Sequence, residues 1–224
     1  MAEKIIELVH LQKQFGKNSV LRDINLSVEK GNVLSIFGAS GSGKTTAIDI
    51  LLGILQPQVG CVKVDGCDIQ ENDDGWLSQL SYIPQTIFML DDTIRANVAF
   101  GVAEENIDDA QVWNALEEAQ LKEFVQSLPE GLDTSIGERG VRLSGGQRQR
   151  IGIARALYSD PQVLIFDEAT SALDNETESA IMESINALHG KKTMIIIAHR
   201  LTTIQECDVV YRVENGRIYK EMGD

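Results

Sequence analysis

Apolar and polar residues alternate along Ile5-Ile6-Glu7-Leu8-Val9 and again along Val20-Leu21-Arg22-Asp23-Ile24-Asn25-Leu26-Ser27-Val28. This period-two pattern predicts half-buried strands of an antiparallel layer. Glu29-Lys30-Gly31-Asn32 then turns the chain into Val33–Phe37, a short, mostly apolar run of the kind that forms a buried parallel strand. Thr46–Leu52 reads as a helix ending at Gly53. Pro57 and Gly60 break the chain, Val62–Val64 returns as strand, and Leu80–Ile83 is another short strand, stopped by Pro84. From about Thr93 to Tyr158 the pattern becomes helical, with Val112, Leu116, Ala119, Phe124 and Leu128 recurring at near-helical spacing among acids and amides, as in an inserted helical lobe. The carboxylates of this stretch, among them Glu104, Glu105, Asp108 and Asp109, read as a solvated surface. After Pro161 the apolar strands resume at Val163–Phe166 and Met194–Ala198, separated by a helical stretch over Glu176–Leu188. Val209–Val213, Asn215-Gly216 and Arg217–Tyr219 read as a closing hairpin. The pattern predicts an α/β fold: a mostly parallel sheet, an N-terminal antiparallel β layer and an inserted α-helical lobe.

One stretch gives this frame a chemical centre. Gly38-Ala39-Ser40-Gly41-Ser42-Gly43-Lys44-Thr45 fits the phosphate-loop pattern G-x-x-x-x-G-K-[ST], with a strand before it and a helix from Thr46 after it. Glycines allow backbone amides to approach phosphate, the helix N-terminus attracts anions, Lys44 can reach the β- and γ-phosphate oxygens, and the Thr45 hydroxyl suits Mg²⁺. A Gly/Ser-rich surface turn is the alternative, and the flanking strand and helix argue against it.

Composition narrows the setting. A formal charge of −14 over 224 residues argues against sequence-independent nucleic-acid binding, which needs a basic surface. Cys61, Cys67 and Cys207 form neither a disulfide framework nor a close C-x-x-C pair, which fits a reducing, cytosolic setting. No run approaches the roughly 18 to 20 apolar residues of a membrane span, and the N-terminus has no basic-then-apolar signal pattern.

Open parallel sheets bind ligands beyond the carboxyl ends of their strands. Asp167-Glu168 follows one apolar strand and His199 follows another. An acid after an apolar strand in a phosphate-loop protein is the Walker B arrangement: Asp167 fills the Mg²⁺ position, and Glu168 could orient and deprotonate an attacking water. A helix N-cap is the competing role for either acid. His199, beside these two, joins the same site.

Leu143-Ser144-Gly145-Gly146-Gln147 precedes a helical run, so that Ser144 and the Gly145 and Gly146 amides form a second anion site at a helix N-terminus. With this motif, nearly the whole chain resembles the nucleotide-binding domain of an ATP-binding cassette (ABC) transporter, whose signature is LSGGQ. The resemblance implies that the signature, with Gln147, closes over ATP held by the phosphate loop of a second copy. It implies that Gln85 after Tyr82-Ile83-Pro84 is the Q-loop glutamine touching Mg²⁺ and the attacking water. Phe15 stands where an adenine-stacking aromatic, more often Tyr, is expected; a core phenylalanine is the alternative. Ser171-Ala172-Leu173-Asp174 matches the D-loop, with Asp174 shaping the partner's site. Gly137-Glu138-Arg139-Gly140 resembles the exporter segment that meets transmembrane domains, and the Phe88–Val98 stretch with Asp91-Asp92-Thr93 resembles exporters and flippases of glycans and lipid-linked oligosaccharides.

The resemblance implies one nucleotide-binding domain over 1–224, with a catalytic lobe of about 1–84 and 161–224 and a helical lobe of about 85–160. ATP and Mg²⁺ are the implied cofactors. A second copy and transmembrane domains, fused or separate, are the implied partners, with the domain at the cytoplasmic face of a membrane. The chain ends soon after its last hairpin, as expected of a domain from a longer transporter. A soluble ABC ATPase acting on DNA or ribosomes would bring a coiled-coil insertion, tandem cassettes or a basic surface, and a degenerate regulatory cassette would have lost Glu168, His199 or a signature residue. Neither pattern is present.

Overall fold

Two kinds of backbone periodicity divide the molecule, and they sort into two compact units. The computed structural model describes residues 3–71, 73–167, 175–198 and 204–223. Along them run β1 (Lys4–Phe15), β2 (Asn18–Glu29), β3 (Val33–Phe37), α1 (Lys44–Leu51), β4 (Val59–Val64), β5 (Cys67–Asp68), α2 (Asp73–Leu77), β6 (Leu80–Ile83) and α3 (Ile94–Val98). They continue through α4 (Asp109–Glu118), α5 (Lys122–Ser127), α6 (Gly145–Leu157), β7 (Val163–Asp167), α7 (Asn175–Leu188), β8 (Thr193–Ile197), β9 (Val209–Glu214) and β10 (Arg217–Met222).

The first unit comprises Met1–Leu80, Gln162–Ile165 and His189–Asp224. Its antiparallel sheet has the order β2-β1-β4-β5, as the alternating N-terminal pattern predicts. β1 and β2 are longer than the alternation indicates, because bulges carry them past the points where it fails. The register slips between Leu8 and Leu11, next to His10 with φ 52°. The His10 N–H is nevertheless satisfied by the Asn25 side-chain oxygen at 2.9 Å.

A six-stranded sheet runs β10-β9-β3-β8-β7-β6. β3 is parallel to β8 (Val33 opposite Met194) and to β9 (Leu34 opposite Val209). Inward residues of the β layer (Ile6, Leu8, Leu26), of α1 (Ile48, Leu51) and of β3 (Leu34, Ile36) share one core. Burying a Leu or Ile side chain there contributes about 1.5–3 kcal/mol. Trp76 closes one side of it, its indole N–H donating to Leu51 O at 2.8 Å.

The second unit, Ser81–Pro161 with Phe166–Leu188, is built on α6. Ile151, Ile153, Ala154 and Leu157 of that helix are buried, and α3, α4 and α7 pack on it. Arg155 ties α6 to its surroundings: Nε donates to Asn97 O and Nη1 to Phe88 O, both at 2.8 Å, and the guanidinium lies 4.6 Å from the Phe100 ring centroid. The apolar period over 112–128 is not one helix. α4 stops at Glu118, Gln120 takes φ 56°, and α5 starts a new axis on which Leu121 and Val125 are buried while Phe124 and Leu128 are only half-buried. No helix among the described residues is long and apolar enough to cross a membrane.

Candidate nucleotide site

The phosphate loop leaves the carboxyl end of β3 and enters α1 at Lys44, two residues earlier than the apolar pattern indicates. Its shape requires glycine at two points. A Cβ on Gly38 would lie 2.2 Å from Val213 O, and one on Gly43, where φ is 110°, would lie 2.8 Å from Leu21 Cδ2. The loop is therefore clamped between β9 and β2. Lys44 is 5% exposed, and its ammonium donates to Gly38 O at 2.5 Å and Ala39 O at 3.0 Å. The buried Ser42 Oγ has no hydrogen-bond partner among the described residues. A buried cation and an orphaned hydroxyl inside a ring of glycines suit an oxyanion ligand. Ser40, Gly41 and Thr45 are exposed and Thr46 half-buried, with Thr45 at the first turn of α1.

Beyond the carboxyl ends of β3 and β9 lies a cavity of about 490 Å³, lined by Phe37–Ser42, Ile204, Arg212, Glu214 and Asn215 among others. The last three were not expected there, because the sequence shows β9 only as one arm of a hairpin. Its parallel pairing with β3 is what brings its end beside the loop. Arg212 is held by Glu221 at 2.6 Å and by Glu214, and these carboxylates raise its pKa.

In the second unit, Asp167 ends β7, and its Oδ2 accepts the Tyr82 hydroxyl at 2.7 Å. Gln85, three residues past Tyr82, is exposed. Ser144 caps α6: its Oγ accepts Gln147 N–H at 3.2 Å, while Gln147 Oε1 accepts Ser144 N–H at 2.8 Å, completing a capping box. The Ser144 hydroxyl hydrogen and the first-turn amides of Gly145 and Gly146 remain at the open end of the helix.

A phosphate loop after a parallel strand and a serine-capped LSGGQ helix in a separate unit have a known counterpart. The sequence profile of the family described as "ABC transporter" matches residues 21–171. The chain belongs to the ABC transporter family. The cassettes of this family bind and hydrolyse ATP. The chain is 44% identical over 205 residues to the "Heterocyst differentiation ATP-binding protein HepA" of Nostoc sp., covering 91% of this chain and 33% of that protein. It is 46% identical over 200 residues to an "ATP-dependent lipid A-core flippase" of Alkalilimnicola ehrlichii, covering 89% and 34%. Among solved structures, a bacterial Atm1-family ABC exporter with ATP bound superposes with a TM-score of 0.85 at 34% identity, covering 99% of this chain and 39% of that one. The chain thus spans about a third of the length of the curated relatives it matches. The α/β class, the antiparallel layer and the helical lobe expected of an ABC cassette are all present.

On this ABC cassette, Phe15 ends β1 with its side chain 48% exposed, and Lys13 Nζ stands 5.4 Å from its ring centroid. The ring is therefore at the surface and not in the core, where it would have been only packing. Gly137–Gly140 forms a tight turn with Arg139 at φ 54°, next to Val141, which is 75% exposed. Glu168, the Ser171–Asp174 segment and His199 lie outside the described residues.

Proposed function

We propose that this ABC cassette is the Mg-ATP-hydrolysing motor of an exporter or flippase, working as a head-to-tail pair that holds two ATP molecules. The observation that carries this reading is the pair of unlike anion cradles. The phosphate loop offers Lys44, Ser42 and the α1 N-terminus, and the α6 N-terminus offers Ser144 with the Gly145 and Gly146 amides. Each supplies donors to one side of a phosphate chain. Two copies related by a two-fold axis bring both cradles to each nucleotide and close the assembly.

The donor set suits Mg²⁺. The residues that the family motifs assign to the metal, Thr45, Asp167 and Gln85, would each ligate through oxygen. Mg²⁺ favours such sites, where few protein oxygens are completed by phosphate and water. When bound, it neutralises charge developing on the β- and γ-phosphate oxygens. Lys44 orients those phosphates, Glu168 takes the proton of the attacking water, and His199 contacts the γ-phosphate; Phe15 stacks on adenine and Asp174 shapes the partner's site. These roles are carried over from the family motifs.

Export or flipping is supported by the Gly137–Gly140 segment before the signature and by relatives named as lipid A-core flippases. Asp91-Asp92-Thr93 extends this to glycans or lipid-linked oligosaccharides. Transmembrane domains, fused or separate, would carry the substrate, with the cassette at the cytoplasmic face. The lobes are assigned to about 1–84 with 161–224 and to about 85–160.

Sedimentation of Glu168→Gln tests the reading. The amide keeps the shape but removes the base, so Mg-ATP should convert monomer into a lasting dimer. Adding Ser144→Arg should prevent it. A dimer equally populated without ATP, or one indifferent to Ser144→Arg, would reject the shared site.

A further inference from the structure

We propose that Tyr82 is a positioning residue for Asp167, holding the metal-side carboxylate in one orientation through its hydroxyl. The inference rests on the reading of Asp167 as a Mg²⁺ ligand. Tyr82 lies on β6 and Asp167 at the end of β7, neighbouring strands of the same sheet. The alternation of β6 puts Ile83 in the interior, 1% exposed, and leaves Tyr82 39% exposed on the opposite face. From there its hydroxyl donates to Oδ2 of Asp167 at 2.7 Å. Hydrogen bonds of this type to a carboxylate are short and about twice as strong as neutral ones. The bond engages Oδ2 and stops the carboxylate from rotating freely, so Oδ1 keeps a fixed direction.

The aromatic ring makes this a stiff support, since a tyrosine side chain has only two rotatable angles to lose. The placement also links two residues read as metal-side ligands. Gln85 follows Tyr82 by three residues, with Ile83 and Pro84 between them, so the segment that presents the glutamine is pinned to Asp167 by the same hydroxyl. Groups that orient a metal ligand typically account for 10–100-fold in metal affinity.

The test is Mn²⁺ binding followed by electron paramagnetic resonance, on the chain with a non-hydrolysable ATP analogue. Tyr82→Phe should weaken Mn²⁺ about tenfold. Its affinity for ATP in the presence of EDTA should stay at the wild-type value, and kcat should recover at saturating Mg²⁺. Tyr82→Leu should weaken Mn²⁺ to the same degree, because neither variant carries the hydroxyl. Asp167→Asn serves as the reference. If Asp167→Asn weakens Mn²⁺ binding and Tyr82→Phe does not, the positioning role is overturned while the metal site stands. If Asp167→Asn binds Mn²⁺ as wild type does, the metal reading fails and the Tyr82 proposal with it. Equal loss of metal-free ATP affinity in Tyr82→Phe would also overturn it, as the mark of a merely structural residue.

Discussion

Ser144 and Gln147 satisfy each other's backbone: Ser144 Oγ accepts the Gln147 N–H and Gln147 Oε1 accepts the Ser144 N–H. Gln147 therefore supports the first turn of α6. Gln147→Ala should cost about 1 kcal/mol of stability by removing one half of the box. Gln147→Glu keeps the acceptor and adds a charge that suits a helix N-terminus, so it should fold at least as stably. If the open end of α6 meets the partner's ATP as proposed, the same charge should weaken ATP-driven pairing in the Glu168→Gln background. Urea denaturation and sedimentation separate the two effects. Wild-type behaviour of Gln147→Ala in both would show that the box is dispensable.

Lys44 is buried against the carbonyls of Gly38 and Ala39. Its ammonium is already held where an oxyanion would meet it, so little ordering remains to be done on binding. A charge-assisted hydrogen bond contributes about 1.5–3 kcal/mol, so Lys44→Ala should weaken ATP about 10- to 150-fold. Lys44→Arg should not restore it, because a planar guanidinium fork is not equivalent to a compact ammonium point charge. Direct calorimetric titration decides this, and undiminished affinity in a folded Lys44→Ala chain would mean that the loop does not hold the phosphates.

The features legible in the sequence were those whose geometry is local. The phosphate loop and the signature each occupy eight or fewer consecutive residues, and glycine or a capping serine dictates their backbone. The break between α4 and α5 was not legible. Both helices face one core, so their apolar residues keep a helical period across Gln120, whose left-handed backbone no flanking glycine or proline announces. Contacts set by sheet order were equally hidden. Tyr82 and Asp167 are 85 positions apart and meet only because β6 and β7 are neighbours. Arg212 and Glu214 reach the phosphate loop only through the parallel pairing of β9 with β3.

Burial pushes the Cys207 thiol up to about 12 from an ordinary 9.0, with acidic Asp208 and Glu206 acting in the same direction. The unfolded chain ionises this thiol near pH 9 and the folded chain does not. Stability should therefore be unaffected below pH 9 and fall between about pH 9 and 12, by at most about 1.4 kcal/mol per pH unit. Cys207→Ala removes this contribution, so its urea midpoint should fall less steeply than the wild type's from pH 8.5 to 10.5. Parallel curves would show that Cys207 ionises equally in both states.

Phe15, proposed to stack on adenine, carries the last prediction. The side chain is 48% exposed, and Lys13, two residues earlier on the same strand, places Nζ 5.4 Å from its centroid. Lys13 Nζ is itself anchored on Gln56 O at 2.6 Å, so the cation is held in place and does not sweep across the ring. Stacking of a base on an aromatic side chain contributes about 1–3 kcal/mol. Phe15→Ala should then weaken ATP about 5- to 150-fold, and Phe15→Tyr should bind as wild type, since the phenolic oxygen adds nothing to a stacked face. Lys13→Ala should have a smaller effect, about 0.5–1 kcal/mol, through a less firmly placed ring. Tripolyphosphate is the discriminating ligand, as it carries the phosphate chain without the base. Competition assays should give the same tripolyphosphate affinity in wild type, Phe15→Ala and Lys13→Ala. Parallel losses of ATP and tripolyphosphate in Phe15→Ala would instead assign Phe15 to the support of the phosphate loop and leave adenine without an aromatic partner on this strand.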